Sequence, residues 1–429
     1  MKITYSKEQI TAFGGFNFCH SLLAKKGVYN LIDKFLGKRV KTEGFTYSDI
    51  FANHLAIFLH GGDCVEDVNA HLKASLQKVK KFNVCSPDTI FRGIKELATP
   101  TEPHISANGI RHEFNINLPL NSLLIKVLTH TKQLDKNNKN YTLDYDNQII
   151  ETNKYDAKKT YKKCKGYQSG IATIAKNIVY IEGRNGNSPA KYLQDETLDR
   201  TFSLLENEGI GIKRFRADSA SFQKKILDLV SQKCDTFYIR ASKCANMDYL
   251  IGQIPAKKWK KTRLGTQEME LAEILYTPFQ GKKSYRLVVS RIKGTDKQMD
   301  IFSKSSYMYR AVISNDYQWT NAQITSFYNQ RGSAEKTFDS MNNDFGWAKL
   351  PCSFLNQNTS FMLMTAIYAN LYQFILAEFS GKLPWLSTSF RLKKFIFRFI
   401  TVPAKWIRTA GQEVLKLYTS KDYSPIIFG

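Results

Sequence analysis

Strand-like and helix-like patterns alternate between about residue 140 and residue 245, and this alternation constrains the fold of the chain more than any other feature. Alternating apolar and polar residues predict strands in the segments YTLDYDNQIIETN, GYQSGIATIAKNIVYIEG, GIKRFRADS and CDTFYIRAS. Helices are predicted between them, at about 190–206 and in SFQKKILDLVSQ, where apolar residues recur at helical spacing. Strands that alternate with helices in this way predict an α/β core.

The N-terminal part of the chain has a different pattern. Apolar residues recur at a spacing of three or four from about residue 5 onward, which predicts a helical N-terminal domain over 1–117. A Ser-Pro-Asp sequence at 86–88 is typical of a helix start, and that helix is either the second helix of a DNA-binding helix-turn-helix or an ordinary capped surface helix. Between 100 and 117 the periodicity fades and Pro, Gly, Asn and His accumulate, which predicts a linker.

The predicted core has two parts. Its first part spans 118–245, and several strand-like runs without helices between them predict a β-rich insertion over 246–316. Helical patterns return in the second part of the core, over 317–380. The apolar run at 361–379 is roughly of membrane length but contains Asn, Gln and Glu, so we predict a buried helix and no membrane span.

The charge balance favours a polyanionic partner. The chain has 62 Lys and Arg against 38 Asp and Glu, a formal net charge of +24, and nucleic acid is the leading candidate over a merely basic soluble protein. The seven cysteines form no CxxC pair, which predicts neither a zinc site nor a disulfide framework. A cytoplasmic, DNA-associated protein without a secretory signal is expected.

Basic runs interleaved with aromatic residues are candidate DNA contacts. One run follows the first strand and comprises Lys158, Lys159, Lys162 and Lys163. Another lies in the insertion and comprises Lys257, Lys258, Trp259, Lys260, Lys261 and Arg263. Within it, Trp259 is the candidate to stack on an unpaired or flipped base. A basic tail with further aromatic residues spans 381–429, and it could bind DNA, pack against the core or bind anionic membrane, in that order of preference. The alternative for each run is a solvated, charged face.

Acidic residues stand at selected points of the predicted core. Residues two apart on a strand share a face, so Asp144 and Asp146 could both point toward one pocket. Asp218 falls where a strand is followed by a helix, and open α/β sheets bind ligands at that end of their strands. We therefore expect one of the first two acids to lie near Asp218.

A third acid, Glu335, lies on a predicted helix that begins near Thr320. Tyr328, Arg331 and Glu335 fall on one face of that helix. Every histidine lies at or before His130, so no imidazole accompanies these acids, and carboxylates alone are the ligand set of Mg²⁺ or Mn²⁺. Two such ions would clamp the attacking and leaving oxygens of a displacement at phosphorus. Taken singly, each acid is more often a solvated or salt-bridged residue.

Three segments together resemble the DDE transposases of bacterial insertion sequences, whose catalytic core is RNase H-like. LDYDNQIIET is similar to the strand that carries the first acid of that family, and FRADSASFQKKIL to the strand and helix around the second acid. YNQRGSAEKTFDSMNNDFGW resembles its Tyr-Arg-Glu helix. The likeness covers about 140–370. It implies an α/β fold with an RNase H-like mixed-sheet core, a β-rich insertion, a helical N-terminal domain and C-terminal helices.

The resemblance also implies residue roles. Asp146, Asp218 and Glu335 would be the catalytic triad and would bind two Mg²⁺ or Mn²⁺ ions, with Asp144 as the other candidate ligand. Tyr328 and Arg331 would contact DNA near the cleaved end. Members of this family nick DNA at transposon ends, and the freed 3′-hydroxyl then attacks target DNA.

The sequence departs from the family pattern at two places. The family often has a basic residue seven positions after the Glu, where this chain has Asn342. The small hydroxylic residue that usually follows the first Asp is replaced by Asn147 and Gln148, which leaves the choice between Asp144 and Asp146 open, with Asp146 favoured.

The sequence therefore predicts a transposase that acts on terminal inverted repeats and target DNA. Because two ends must be cut and joined together, we expect a homo-oligomer, most simply a dimer, on DNA. Two alternatives remain open at this point: a metal-dependent nuclease without strand transfer, and a DNA-binding protein without catalysis.

Overall fold

The computed structural model describes residues 1–5, 7–39, 44–293 and 307–428. The helices are α1 Phe16–Lys25, α2 Val28–Leu36, α3 Tyr47–Leu59, α4 Lys73–Leu76, α5 Pro87–Glu96, α6 Leu118–His130, α7 Gln194–Asn207, α8 Lys224–Lys233, α9 Ala245–Gly252, α10 Asn321–Asn329, α11 Ser333–Asp344, α12 Leu355–Ser380, α13 Leu392–Phe395 and α14 Pro425–Phe428. The strands are β1 Glu102–Ile105, β2 Arg111–Asn115, β3 Tyr141–Glu151, β4 Lys158–Lys159, β5 Lys165–Ile174, β6 Asn177–Arg184, β7 Ile212–Ala217, β8 Thr236–Arg240, β9 Lys260–Leu264, β10 Gln267–Tyr276, β11 Tyr285–Lys293, β12 Tyr307–Ser314, β13 Ala404–Thr409 and β14 Gln412–Leu417.

A mixed sheet forms the centre of the molecule. Among the described residues its strand order is β1-β2-β6-β5-β3-β7-β8-β12-β11-β10-β9, with β4 paired to β5. Strands β6, β5 and β3 are antiparallel to one another, whereas β3, β7 and β8 run parallel. Helix α7 connects β6 to β7, and helix α8 connects β7 to β8. The predicted mixed-sheet α/β core is confirmed, and β3 lies at its centre.

The β-rich segment predicted over 246–316 extends this same sheet. Strand β12 pairs antiparallel with β8, and β11, β10 and β9 follow it outward. Residues 294–306 lie outside the described residues. The insertion is therefore built onto the edge of the core sheet through backbone hydrogen bonds.

The linker predicted over 100–117 is instead a β-hairpin. Strands β1 and β2 pair antiparallel, and β2 joins the sheet by pairing with β6 through Phe114 and Arg184. The side-chain amide of Asn115 donates to the carbonyl oxygens of Thr99, at 2.8 Å, and Pro100, at 3.0 Å. Strands of four and five residues are too short to show a clear alternation, which is why the sequence pattern missed them.

Helix α12 is the buried helix predicted from the apolar run. It packs on β6 and on helices α3, α5 and α6. Of the described residues it forms the one helix long and apolar enough to cross a membrane, and 83% of its most apolar window is buried inside the protein. Its apolar surface is therefore covered by the N-terminal helices and the sheet.

The segment 381–429, expected as a basic tail, is folded where it is described. Phe399 and Ile400 are fully buried, and Ala404 pairs with Thr11 through backbone hydrogen bonds of 2.9 Å. Strands β13 and β14 form a hairpin beside the N-terminal helices. Phe395, Phe399 and Tyr423 pack into the core that these helices share with α12, whereas Phe397 is 74% exposed.

Helix α5 begins as predicted at Ser86, whose hydroxyl accepts a hydrogen bond from the backbone N–H of Thr89 at 3.2 Å. Its apolar side packs on α3 and α12, and its last residue, Glu96, forms a bidentate ion pair with Arg39 at 2.8 and 2.9 Å. Its role as a DNA-reading helix stays a prediction.

Two buried histidines link the stability of this helical region to pH. The His54 ring contacts the rings of Phe361 and Tyr368 on α12, and the His60 ring lies between Phe13 and Phe16. Burial lowers the pKa of His54 to about 3 and that of His60 to about 4. As the pH falls, the unfolded chain therefore binds protons before the folded protein does.

We expect the free energy of unfolding to fall by about 2 kcal/mol for each of these histidines as the pH drops from roughly 7 to 5. Urea unfolding at the two pH values measures the change. The double variant His54→Gln, His60→Gln should lose clearly less over the same range, because glutamine does not titrate. An equal loss in the variant would contradict this explanation.

Candidate active site

Asp146 lies on the central strand β3, between β5 and β7. Its Oδ1 accepts a hydrogen bond from the backbone N–H of Asn147 at 2.9 Å. Its Oδ2 faces the guanidinium of Arg331, with distances of 3.2 Å to Nη2 and 3.4 Å to Nη1. The carboxylate is 20% exposed, so it is mostly buried but still accessible from one side.

Asp218 follows directly after β7, at the carboxyl end of the strand, as the sequence pattern predicted. Its Oδ1 accepts a hydrogen bond from the backbone N–H of Ala220 at 2.9 Å, which caps the short turn Ser219–Ser221. Strands β3 and β7 run parallel, and Tyr145 pairs with Ala217 in their register. Asp146 comes directly after Tyr145 and Asp218 directly after Ala217, so the two acids lie side by side at the ends of neighbouring paired positions.

The two acids line one cavity of about 560 Å³. Polar and basic side chains from the surrounding segments complete its wall: Asn147, Lys159, Thr160, Tyr161, Gln168, Asn187, Lys191, Ser219 and Ser242. Tyr161, Gln168 and Lys191 could not be predicted as part of the site from the sequence, because they match no motif and lie apart from the acids along the chain. The carboxylates thus face a space whose rim carries positive charge.

The helix predicted near Thr320 begins there and is then interrupted. Thr320 and Gln323 form a reciprocal capping box, which sets the start of α10. A turn at Gln330–Gly332 separates α10 from α11. Tyr328 at the end of α10 donates its hydroxyl to the carbonyl oxygen of Ala217 at 3.4 Å, next to Asp218. The interruption places Arg331 in the turn, facing Asp146.

Glu335 lies in the first turn of α11 and is exposed. It belongs to the same electrostatic environment as the other acids. Burial raises the pKa of Asp146 to about 6; the charges of Asp218 and Glu335 add to this rise, and Arg331 opposes it. Glu335 therefore acts on Asp146 through its charge, and Arg331 is the cation that lies beside Asp146.

The side chain of Asp144 has a different environment. It is 4% exposed and forms a bidentate ion pair with Arg216, in which Nε donates to Oδ1 at 2.6 Å and Nη2 donates to Oδ2 at 2.7 Å. Burial raises the pKa of Asp144, and the Arg216 pair opposes that rise. Arg216 also donates to the carbonyl oxygen of Phe327 at 2.6 Å, which ties α10 to the sheet. Both oxygens of Asp144 are engaged, and Asp146 rather than Asp144 lines the cavity.

The carboxylates of Asp146, Asp218 and Glu335 are not drawn as closely together as the ligands of a formed metal site. Within the described ranges, the one group of three acidic, Cys or His side chains with ligand atoms within 4.8 Å of one another is Asp63, Cys64 and Asp67. That group lies away from the cavity, and Asp63 is paired with Lys349 at 2.5 Å.

The first basic run lies beside the cavity. Lys158 forms an ion pair with Glu113 at 3.2 Å. Lys159, Lys162 and Lys163 are exposed and form no ion pair in the part of the chain that the structure describes. Three of the four predicted lysines are therefore available to bind a phosphate group.

The second basic run lies at the edge of the sheet that β9 forms. Lys257 and Lys258 occupy an exposed turn, and Lys260, Lys261 and Arg263 lie exposed on the edge strand β9. Trp259, by contrast, is only 9% exposed, and the guanidinium of Arg291 lies 4.0 Å from its ring centroid. This burial contradicts an exposed stacking surface at Trp259. The indole packs into the insertion because Arg291, far along the chain, covers its face.

The comparisons with known proteins identify the class of protein. The family model for transposase DDE domain group 1 matches residues 1–427, so this chain belongs to that transposase family. The resemblance stated from the sequence is thereby confirmed. No curated protein matches the chain. Among solved structures, a piggyBac transposase synaptic complex with hairpin DNA is similar at 12% identity, with a TM-score of 0.42, over 90% of this chain and 79% of that chain.

Proposed function

We propose that this protein is a DNA transposase that cuts DNA at the ends of an insertion sequence in a metal-dependent reaction and joins the freed 3′-hydroxyl to target DNA. The observation that carries the proposal is the pair Asp146 and Asp218 on parallel neighbouring strands, open to one cavity with lysines at its rim. Membership of the transposase DDE domain family supports the same reading.

The donor set fits a hard divalent cation such as Mg²⁺ or Mn²⁺. Asp146, Asp218 and Glu335 supply only oxygen ligands. Burial, with a smaller contribution from the charges of Asp218 and Glu335, raises the pKa of Asp146 to about 6, and a bound divalent cation would stabilise its ionised form. These three residues would hold two ions. When bound, such ions supply Lewis acidity at the phosphate oxygens and activate the attacking hydroxyl.

The residues of the chain itself have separate roles in this proposal. Arg331 holds Asp146 in orientation through its two Nη atoms. Arg331 and Tyr328 are the residues that would contact DNA near the cleaved end. Lys159, Lys162 and Lys163 would bind the backbone phosphates that enter the cavity.

The test uses purified protein, a donor plasmid that carries the DNA flanking both sides of its coding region, and a target plasmid. We expect cleavage at both ends with Mg²⁺ or Mn²⁺, loss of cleavage with EDTA, and joined donor-target products. Cleavage without any joined product would instead support a metal-dependent nuclease. Binding without cleavage in any metal would support a non-catalytic DNA-binding protein. Light scattering of the complex with paired ends tests the expected dimer.

A further inference from the structure

The turn between β4 and β5 carries an exposed aromatic side chain at the cavity. Tyr161 is 72% exposed, yet it lines the same cavity as Asp146 and Asp218. An exposed tyrosine of this size leaves a large apolar surface in water. Its position beside two carboxylates points to a ligand that has an aromatic face as well as a charge.

The backbone around Tyr161 is held in place. The N–H of Thr160 donates to the carbonyl oxygen of Cys164 at 2.8 Å, and the N–H of Lys163 donates to the carbonyl oxygen of Thr160 at 3.0 Å. The neighbouring loop packs against this turn at Gly186, where a Cβ atom would lie 2.3 Å from the carbonyl oxygen of Lys158. Tyr161 is thus presented on a fixed turn rather than on a loose loop.

Two lysines lie on the same cavity. Lys159 precedes the turn and Lys191 comes from the segment before α7. Both are exposed and neither forms an ion pair within the described ranges. The cavity therefore combines an aromatic face, two free cations and a pair of acids. A nucleotide of a DNA strand supplies the matching base and phosphates.

We propose that Tyr161 stacks on a base that has left the double helix next to the cut, while Lys159 and Lys191 bind the phosphates on either side of it. A paired base lies between its neighbours, so its face is not available to Tyr161 until the DNA is locally unpaired. The protein then selects DNA that is distorted at the cut. This inference rests on the proposed function, and it gives Tyr161 the stacking role that the sequence suggested for Trp259.

The test measures binding without divalent metal, so that no cleavage occurs. The probes are a labelled duplex and the same duplex with a few unpaired nucleotides at its centre, followed by fluorescence anisotropy. The unmodified protein should prefer the unpaired duplex. Tyr161→Ala should weaken binding to the unpaired duplex by about 5- to 100-fold, and change binding to the paired duplex much less. Tyr161→Phe should bind like the unmodified protein, because stacking needs the ring and not the hydroxyl.

Tyr249→Ala is the matched control, since Tyr249 is 65% exposed on α9 and does not line the cavity. The Tyr249→Ala variant should keep the preference for the duplex with unpaired nucleotides. Lys159→Gln and Lys191→Gln should each lower the slope of log affinity against log salt by about 0.9. An unchanged preference in Tyr161→Ala, or equal losses in Tyr161→Ala and Tyr161→Phe, overturns the inference, as does a change in Tyr161→Ala that affects only self-association.

The two proposals fail separately. Binding in this assay does not need the acids, so a Tyr161 effect can be present in a protein that never cleaves DNA. Conversely, cleavage and joining with no Tyr161 effect would leave the proposed function intact and remove only the stacking role.

Discussion

Asp218→Asn and Asp146→Asn are each expected to lower the rate of DNA cleavage by about 10³-fold or more while leaving DNA binding largely intact. The physical reason is that both carboxylates face the cavity, and an amide cannot supply the negative charge that holds a divalent cation. Asparagine keeps the size of the side chain. At Asp218 its side-chain oxygen can still accept the hydrogen bond from Ala220, so the turn after β7 should survive.

Gel assays of cleavage, together with circular dichroism and anisotropy, separate loss of catalysis from loss of folding or binding. Glu335→Gln should also lower the rate of DNA cleavage. Asp228→Asn is the matched control, because Asp228 is an exposed acid on α8 and does not line the cavity. Cleavage at an undiminished rate by Asp146→Asn or Asp218→Asn would refute the assignment of these acids.

Asp144→Ala is expected to destabilise the protein by about 3 to 5 kcal/mol, because it leaves the buried guanidinium of Arg216 without its carboxylate. The ion pair is bidentate, and both side chains are less than a tenth exposed. Arg216 also carries the hydrogen bond to Phe327 and lies over its ring at 4.4 Å, so α10 should loosen from the sheet.

Chemical unfolding measures this loss. The double variant Asp144→Leu, Arg216→Met should recover part of it, because no uncompensated buried charge remains. Asp63→Ala, which removes a surface ion pair with Lys349, should leave the free energy of unfolding nearly unchanged. If Asp144→Asn keeps full stability yet stops cleavage, the roles of Asp144 and Asp146 are the reverse of those inferred.

The order of strands and helices in the core could be predicted well from the sequence, because the signals for it are local. The alternation in the strands, the Ser86 and Thr320 helix starts and the strand end before Asp218 all depend on residues close together in the sequence. The short strands β1 and β2 were not predicted, because four or five residues are too few to establish an alternating pattern. Packing of the aromatic C-terminal segment against the core was one of the alternatives open from the sequence, but the burial of Phe399 against Phe18 of α1 and Phe379 of α12 was visible only in the fold.

For the candidate site, the sequence pointed to the acids but not to the residues that pair with them. Asp144 and Asp146 are equivalent by strand periodicity, and their difference arises from Arg216, on the neighbouring strand, which binds the first. Trp259 looked like an exposed stacking residue because its sequence neighbours are lysines, whereas Arg291 covers it in the fold. Tyr161 belongs to no recognisable motif, so the sequence did not indicate that it lines the cavity.

The sequence by itself determined the α/β core, its buried apolar helix, the strongly basic surface and the acidic residues suited to a divalent cation, because periodicity, charge and ligand chemistry are carried by each residue and its near neighbours. Only the tertiary structure decided which acid of the first strand faces the cavity, which lysines remain unpaired and which aromatic ring stays exposed. Those outcomes depend on contacts between residues that are far apart in the chain, and pairing and burial are properties of such contacts rather than of the residue type.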